Sequence, residues 1–190
     1  RVIRTWIGTA PGGDGKTRVT LVWEPAPPSS GRREEPARVR VLATGVGADP
    51  YFRGAVPADR APPAGGVAVR GPWQVGFDAV PGRLDLTLTV EGSAAEVLDK
   101  DQIEIDVPDL TGPDVRLSTP QLFRARTARE WQALTADAGA TPSVGREFSR
   151  TERLLVRVAV LGAAAPPPAA RVLNRSGDRM VDLAPQPAAI

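Results

Sequence analysis

Side chains able to do acid-base or nucleophilic chemistry are scarce in this chain: histidine and cysteine are absent, the lysines are Lys16 and Lys100, and the tyrosine is Tyr51. Histidine titrates nearest neutrality and cysteine is the strongest common nucleophile. Their absence excludes Cys-His and Ser-His-Asp machinery and nearly all zinc or iron ligation. Carboxylates, hydroxyls and arginines remain. The densest acids are Asp99, Asp101, Glu104 and Asp106. A glycosidase needs two acids about 5 to 10 Å apart across a sugar. Here Asp99 and Asp101 sit before a strand whose polar face carries Glu104 and Asp106, a pattern that fits a solvated strand edge with charges that discourage edge pairing. Asp99-Lys100-Asp101 lacks EF-hand spacing and sets a cation among its would-be calcium ligands. No Gly-x-Ser-x-Gly elbow occurs. Gly12 to Thr17 (Gly-Gly-Asp-Gly-Lys-Thr) imitates a phosphate loop but lacks its first glycine and leads into a strand, so it reads as a hairpin turn. The chain is therefore expected to be no enzyme, with no catalytic residue, cofactor or metal.

Binding through aromatic faces is the chemistry left open. Trp23 and Trp73 stand on the inward side of alternating strands, where aromatics fill a sandwich core. Trp6, Trp131 and Tyr51 have less regular surroundings and are the candidate contacts for a ligand, such as a carbohydrate, or for a partner protein.

The elements that must position these residues are strands. From Arg83 to Glu91, Leu84, Leu86, Leu88 and Val90 fall on one face and polar residues on the other. The same period of two runs through Thr17 to Glu24, Arg38 to Ala43, Trp73 to Ala79 and Gln102 to Val107. An opening strand near Val2 to Ile7, with weaker runs at Tyr51 to Arg53 and Val67 to Arg70, brings residues 1–107 to seven or eight strands, enough for a sandwich. With 5% aromatic residues the core must be aliphatic. Turns are expected at Pro11 to Gly15 and Pro81-Gly82, and longer Pro-rich loops at Pro25 to Pro36 and Ala55 to Gly66.

At 190 residues the chain suits two domains of about 100 residues each. A β-sandwich is expected over 1–107, a short Pro/Gly linker over 108–113, and a second, sandwich-like domain over 114–190. The second opens with a strand at Val115 to Ser118. A short helical insertion follows at Thr127 to Leu134, with Thr127 as cap and Glu130 three residues on. Glu152 to Leu161 reads as a strand covered on both faces, and Arg171 to Asn174 with Met180 to Leu183 as a hairpin. Four or five strands are too few for a full sandwich, which makes this domain look incomplete. The fold class is all-β: two tandem immunoglobulin-like or fibronectin-III-like sandwiches.

Twenty-four cations, 22 of them arginine, are scattered among 22 acids with no basic stripe, a pattern that does not track phosphates and excludes nucleic acid as partner. No apolar stretch approaches the roughly 18 to 20 residues of a membrane span. The first residue, Arg1, leads straight into a strand without an initiator methionine, as a fragment or a processed, exported chain would.

Four runs carry a resemblance: Arg4 to Gly8 (Arg-Thr-Trp-Ile-Gly), Asp14 to Pro25, Leu117 to Pro120 continued by Phe123 to Glu130, and Arg146 to Arg157. Together the chain resembles the region downstream of the von Willebrand factor A-like domain in acidobacterial VWFA-related proteins. The resemblance implies C-terminal β-sandwich modules of an exported, extracytoplasmic bacterial protein, with an A-type domain upstream as one partner. No Asp-x-Ser-x-Ser motif is present, so no metal residue carries over. The expected role is a non-catalytic interaction or spacer module that meets other protein domains. Alternatives are a self-associating subunit of a filament or envelope assembly and a carbohydrate-binding module.

Overall fold

The computed structural model describes residues 1–27, 34–47, 49–57, 73–162 and 167–187. Half of the described residues are strand and 6% are helix, and the sheets are antiparallel. Seven strands come first: β1 (Ile3–Pro11), β2 (Thr17–Pro25), β3 (Arg38–Thr44), β4 (Phe52–Val56), β5 (Trp73–Ala79), β6 (Gly82–Glu91) and β7 (Val97–Val107). They form a three-stranded sheet ordered β1-β2-β5 and a four-stranded sheet ordered β4-β3-β6-β7. Val67 to Arg70, read as a weak strand, lies outside the described residues, as do parts of the two Pro-rich loops.

Alternation decides which side of each sheet is buried. Leu84, Leu86, Leu88 and Val90 of β6 are at most 1% exposed, while Arg83 and Asp85 on the other face meet water and Thr87 and Thr89 do so in part. Ile3, Leu21 and Trp23 from one sheet meet Val39, Val41, Val56, Leu88 and Val90 from the other, and Val19, Phe77 and Ala79 meet Ala43, Leu84, Leu86 and Val107. The two sheets therefore face each other across a shared aliphatic core, in which the Trp23 and Trp73 rings stack 4.3 Å apart. Between β1 and β2 the chain reverses through two backbone hydrogen bonds of 3.0 Å between Gly12 or Gly13 and Lys16, and Gly15 takes a φ of 72° there. The glycine-rich run is thus occupied by a hairpin turn.

After Val107 the strands are shorter and paired two by two. They are β8 (Arg116–Leu117), β9 (Gln121–Ala125), β10 (Arg153–Arg157), β11 (Val160–Leu161), β12 (Ala170–Leu173) and β13 (Arg179–Leu183), with helix α1 (Ala128–Ala136) between β9 and β10. β8 pairs with β11, β9 with β10, and β12 with β13. The expected strand 152–161 is thus split. Its first half follows β9, then Ala159 exchanges bonds with Ser118: the Ala159 amide donates to Ser118 Oγ (2.8 Å) and the Ser118 amide to the Ala159 carbonyl (2.9 Å). Nor is it covered on both faces, because Leu154, Val156 and Val158 are 43%, 53% and 41% exposed. β9 has no counterpart among the sequence expectations.

This half is tied back onto the first. Thr17, fully buried, donates its hydroxyl to the Pro108 carbonyl at 2.6 Å. The amides of Thr9 and Thr119 reach the hydroxyl of Thr119 and the carbonyl of Thr9, both at 2.9 Å, which occupies part of the free edge of β1. On the outer face of the three-stranded sheet Trp6 and Val22 are paired across the β1–β2 ladder and covered by Val144.

Candidate interaction surface

The three aromatic candidates are placed apart. Trp6 is only 7% exposed: its ring lies over Gly8, where a Cβ would come within 2.1 Å of the indole, and Val144 closes the top. Its apolar surface is taken up by packing within the chain. Tyr51 is half-buried against the core, with its ring over Gly45 and its amide bonded to the Ala43 carbonyl at 2.9 Å. Trp131 is half-buried on α1, whose other residues include none that is fully buried. No ring contact or hydrogen bond joins the three among the described residues.

α1 begins where the Thr-x-x-Glu pattern places it. Thr127 Oγ1 accepts from the Glu130 amide at 3.1 Å, and Glu130 Oε2 accepts from the amides of Thr127 (3.3 Å) and Arg126 (2.6 Å), which satisfies donors the helix cannot pair itself. At its other end Arg157 of β10 donates to the carbonyls of Leu134 and Asp137, the latter at 2.8 Å, and lies 4.6 Å over the Phe123 ring. Nearby, Glu152 receives Arg126 Nε at 3.1 Å and the Ser149 amide at 2.8 Å, while Arg124 lies over Phe148 at 5.0 Å. The runs Phe123 to Glu130 and Arg146 to Arg157 are therefore one clasp that fixes β9, α1 and β10 to each other. The arginines and carboxylates of this clasp bond to one another and to backbone groups of the same segments.

The acids of β7 have a similarly local role. Ala37 donates to the Glu91 carbonyl (2.9 Å), so odd-numbered residues of β6 point their backbone groups toward β3 and even-numbered ones toward β7. With Leu88 opposite Asp101 and Leu86 opposite Ile103, the amides of Lys100 and Gln102 then face the open side of β7. Asp99 Oδ1 takes the first at 2.9 Å and Asp101 Oδ1 the second at 3.1 Å. Two donors that a foreign strand would need are thus occupied. Asp101 also meets Arg1 (3.4 Å), and Glu104 meets Arg83 (2.8 Å). Among the described residues no group of three or more His, Cys, Asp or Glu could hold a metal ion.

Glu91, 6% exposed, is the buried charge among the described residues of the first half, held by Arg40 Nε at 2.7 Å and by Arg38. The hydrogen bond from Arg40 and the facing Arg38 hold its carboxyl below the usual range, and at Glu152 the Ser149 amide and Arg126 do the same. A general acid requires the opposite shift. A folded pKa below the unfolded one gives stability that is complete above the ordinary glutamate value, roughly 4.3, and is lost as pH falls through the lowered folded value. Urea midpoints should therefore fall on acidification from neutral pH, with a shallower slope for Glu91→Gln. Equal slopes in the two proteins would remove Glu91 as the cause.

Part of the surface left open to solvent is apolar. Of thirteen exposed large apolar side chains among the described residues, ten lie after residue 114. Leu154 and Val156 of β10, with Leu122 opposite Val156, form one outward face, and every described residue of 167–187 is exposed. Comparison with family models, curated proteins and solved structures gives no match for this chain.

Proposed function

We propose that this chain is a non-catalytic β-sandwich module of a larger exported bacterial protein and that it joins other protein domains through the surface formed after residue 114. The order β1-β2-β5 facing β4-β3-β6-β7 supports an immunoglobulin-like reading in which the fourth strand sits on the second sheet, as in fibronectin-III-like domains. The resemblance to the region downstream of the A-like domain of VWFA-related proteins supports the extracytoplasmic setting and an A-type domain as a neighbour.

The observation that carries the reading is the uneven distribution of exposed apolar side chains. Among the described residues the first half leaves three in water and the second half ten, a concentration that supports a surface for protein contact there. An apolar fluorescent dye should bind saturably to the chain, and Leu154→Thr with Val156→Thr should weaken that binding severalfold. Tryptophan emission should stay unchanged across a panel of polysaccharides. A saturable spectral shift with one of them, abolished by Trp131→Ala, would replace this reading with carbohydrate binding.

A further inference from the structure

The hairpin β12–β13 stands alone. All its residues are exposed, a state in which a two-stranded hairpin is marginally stable in water. Its register pairs Ala170 with Leu183, Val172 with Val181, and Arg171 with Asp182. Directly paired residues share a side of the ladder, so one face consists of Ala170, Val172, Val181 and Leu183, and the other carries the Arg171–Asp182 charges with Leu173 and Met180 beyond them, next to the register shift at Val172/Leu173. The apolar face is open, with Val172, Val181 and Leu183 at 40%, 50% and 49% exposure. The same chain carries a second open strand face of similar length, Leu154 and Val156 of β10 flanked by Leu122 and Val158, with Arg124 opposite Leu154 at its margin.

We infer that the hairpin is an exchange arm: in a pair of identical chains, the apolar face of each β12–β13 hairpin covers the β10 face of the other. The inference rests on the protein-contact reading above and names the contact's partner as a second copy. Each chain brings one donor face and one acceptor face, so a two-fold axis satisfies all four at once. Pro167 and Pro168, with φ fixed near −65°, stiffen the approach to β12.

Area favours a closed pair over an open chain of copies. A half-exposed Val or Leu has roughly 60 Å² still to bury, so the six such side chains of one contact supply about 360 Å² of apolar surface. Apolar atoms make up about 57% of an interface, which puts one contact near 630 Å² in all, below the roughly 1,000 Å² a specific interface clears. Two symmetric contacts reach about 1,260 Å², within the range of a specific interface.

The absence of cysteine makes the test direct. Single variants Val181→Cys and Val156→Cys, of different tag mass, are mixed and mildly oxidised, and the particle mass of the unmodified chain is followed from micromolar to millimolar concentration. Expected are a mass that doubles and then levels off, a disulfide between Val181→Cys of one chain and Val156→Cys of the other, and a shift back to the single mass in Val181→Asp with the near-ultraviolet dichroism retained. A single mass at every concentration, growth beyond two copies, a Val181→Cys homodimer, or, in a chain carrying both Val156→Cys and Val181→Cys, a disulfide within that one chain would each overturn the exchange. If the chain stays single while the dye still binds at Leu154 and Val156, self-association falls and the contact surface stands.

Discussion

Trp23→Ala is expected to remove about 3 to 5 kcal/mol of stability, the cost of deleting a large aromatic from a packed core together with the cavity it leaves. Trp23 is fully buried, stacks on Trp73 at 4.3 Å, and touches residues of both sheets. It also donates its indole N–H to the Val56 carbonyl at 3.0 Å, the bond by which one sheet holds the short edge strand of the other. Trp23→Phe separates the contributions. It keeps a ring against Trp73 and leaves the Val56 carbonyl without its donor, at a cost of roughly 1 to 3 kcal/mol. Urea unfolding followed by far-ultraviolet dichroism reads both. A loss below about 1 kcal/mol for the alanine variant would mean that Trp23 does not join the two sheets.

The second large effect is expected at Trp6. Its indole fills the space between Gly8, Val22 and Val144, and it is the apolar contact that seats the segment around Val144 on the outer face of the first half. Trp6→Ala should cost about 3 kcal/mol and free the neighbouring Gly145-Arg146-Glu147 backbone. Limited trypsin digestion should then cut after Arg146 several times faster than in the unaltered chain. Gly8→Val should give the same cut without removing the indole, because a Cβ at residue 8 would displace the ring. Unchanged cleavage at Arg146 in both variants would show that the seat is held instead by its polar ties, the Ser143 amide on the Leu122 carbonyl (2.7 Å) and Arg124 on the Gly145 carbonyl (3.2 Å).

How far each element could be read from sequence follows the distance over which its cause acts. β6 contains its own evidence, four apolar residues at alternate positions, and appears as expected. The capping box of α1 is equally local, and the helix starts after Thr127. β9 was missed because it has only Phe123 and Ala125 facing inward, and its partner β10 lies beyond a helix and a long loop. The alternation of Phe123 and Ala125 with Arg124 and Arg126 was its one signal. Trp6 could not be resolved for the same reason, since Val144, which covers it, is far along the chain. At β7 the charge pattern pointed to a protected edge. The bonds from Asp99 and Asp101 to the next amides depend on which side of the strand those amides face, and that is set by pairing with β6.

The four tryptophans divide the molecule optically. Trp23 and Trp73, stacked in the core, absorb as a coupled pair whose dichroism exists only while the two sheets enclose them. Trp6 lies at the seam with the Val144 segment, and Trp131 on the helix beside β9, so their emission responds to separate events. With a single tyrosine, Tyr51, as background, a spectrum of the native chain can follow the opening of the core, the lifting of the seam and the fraying of the helix without any attached label.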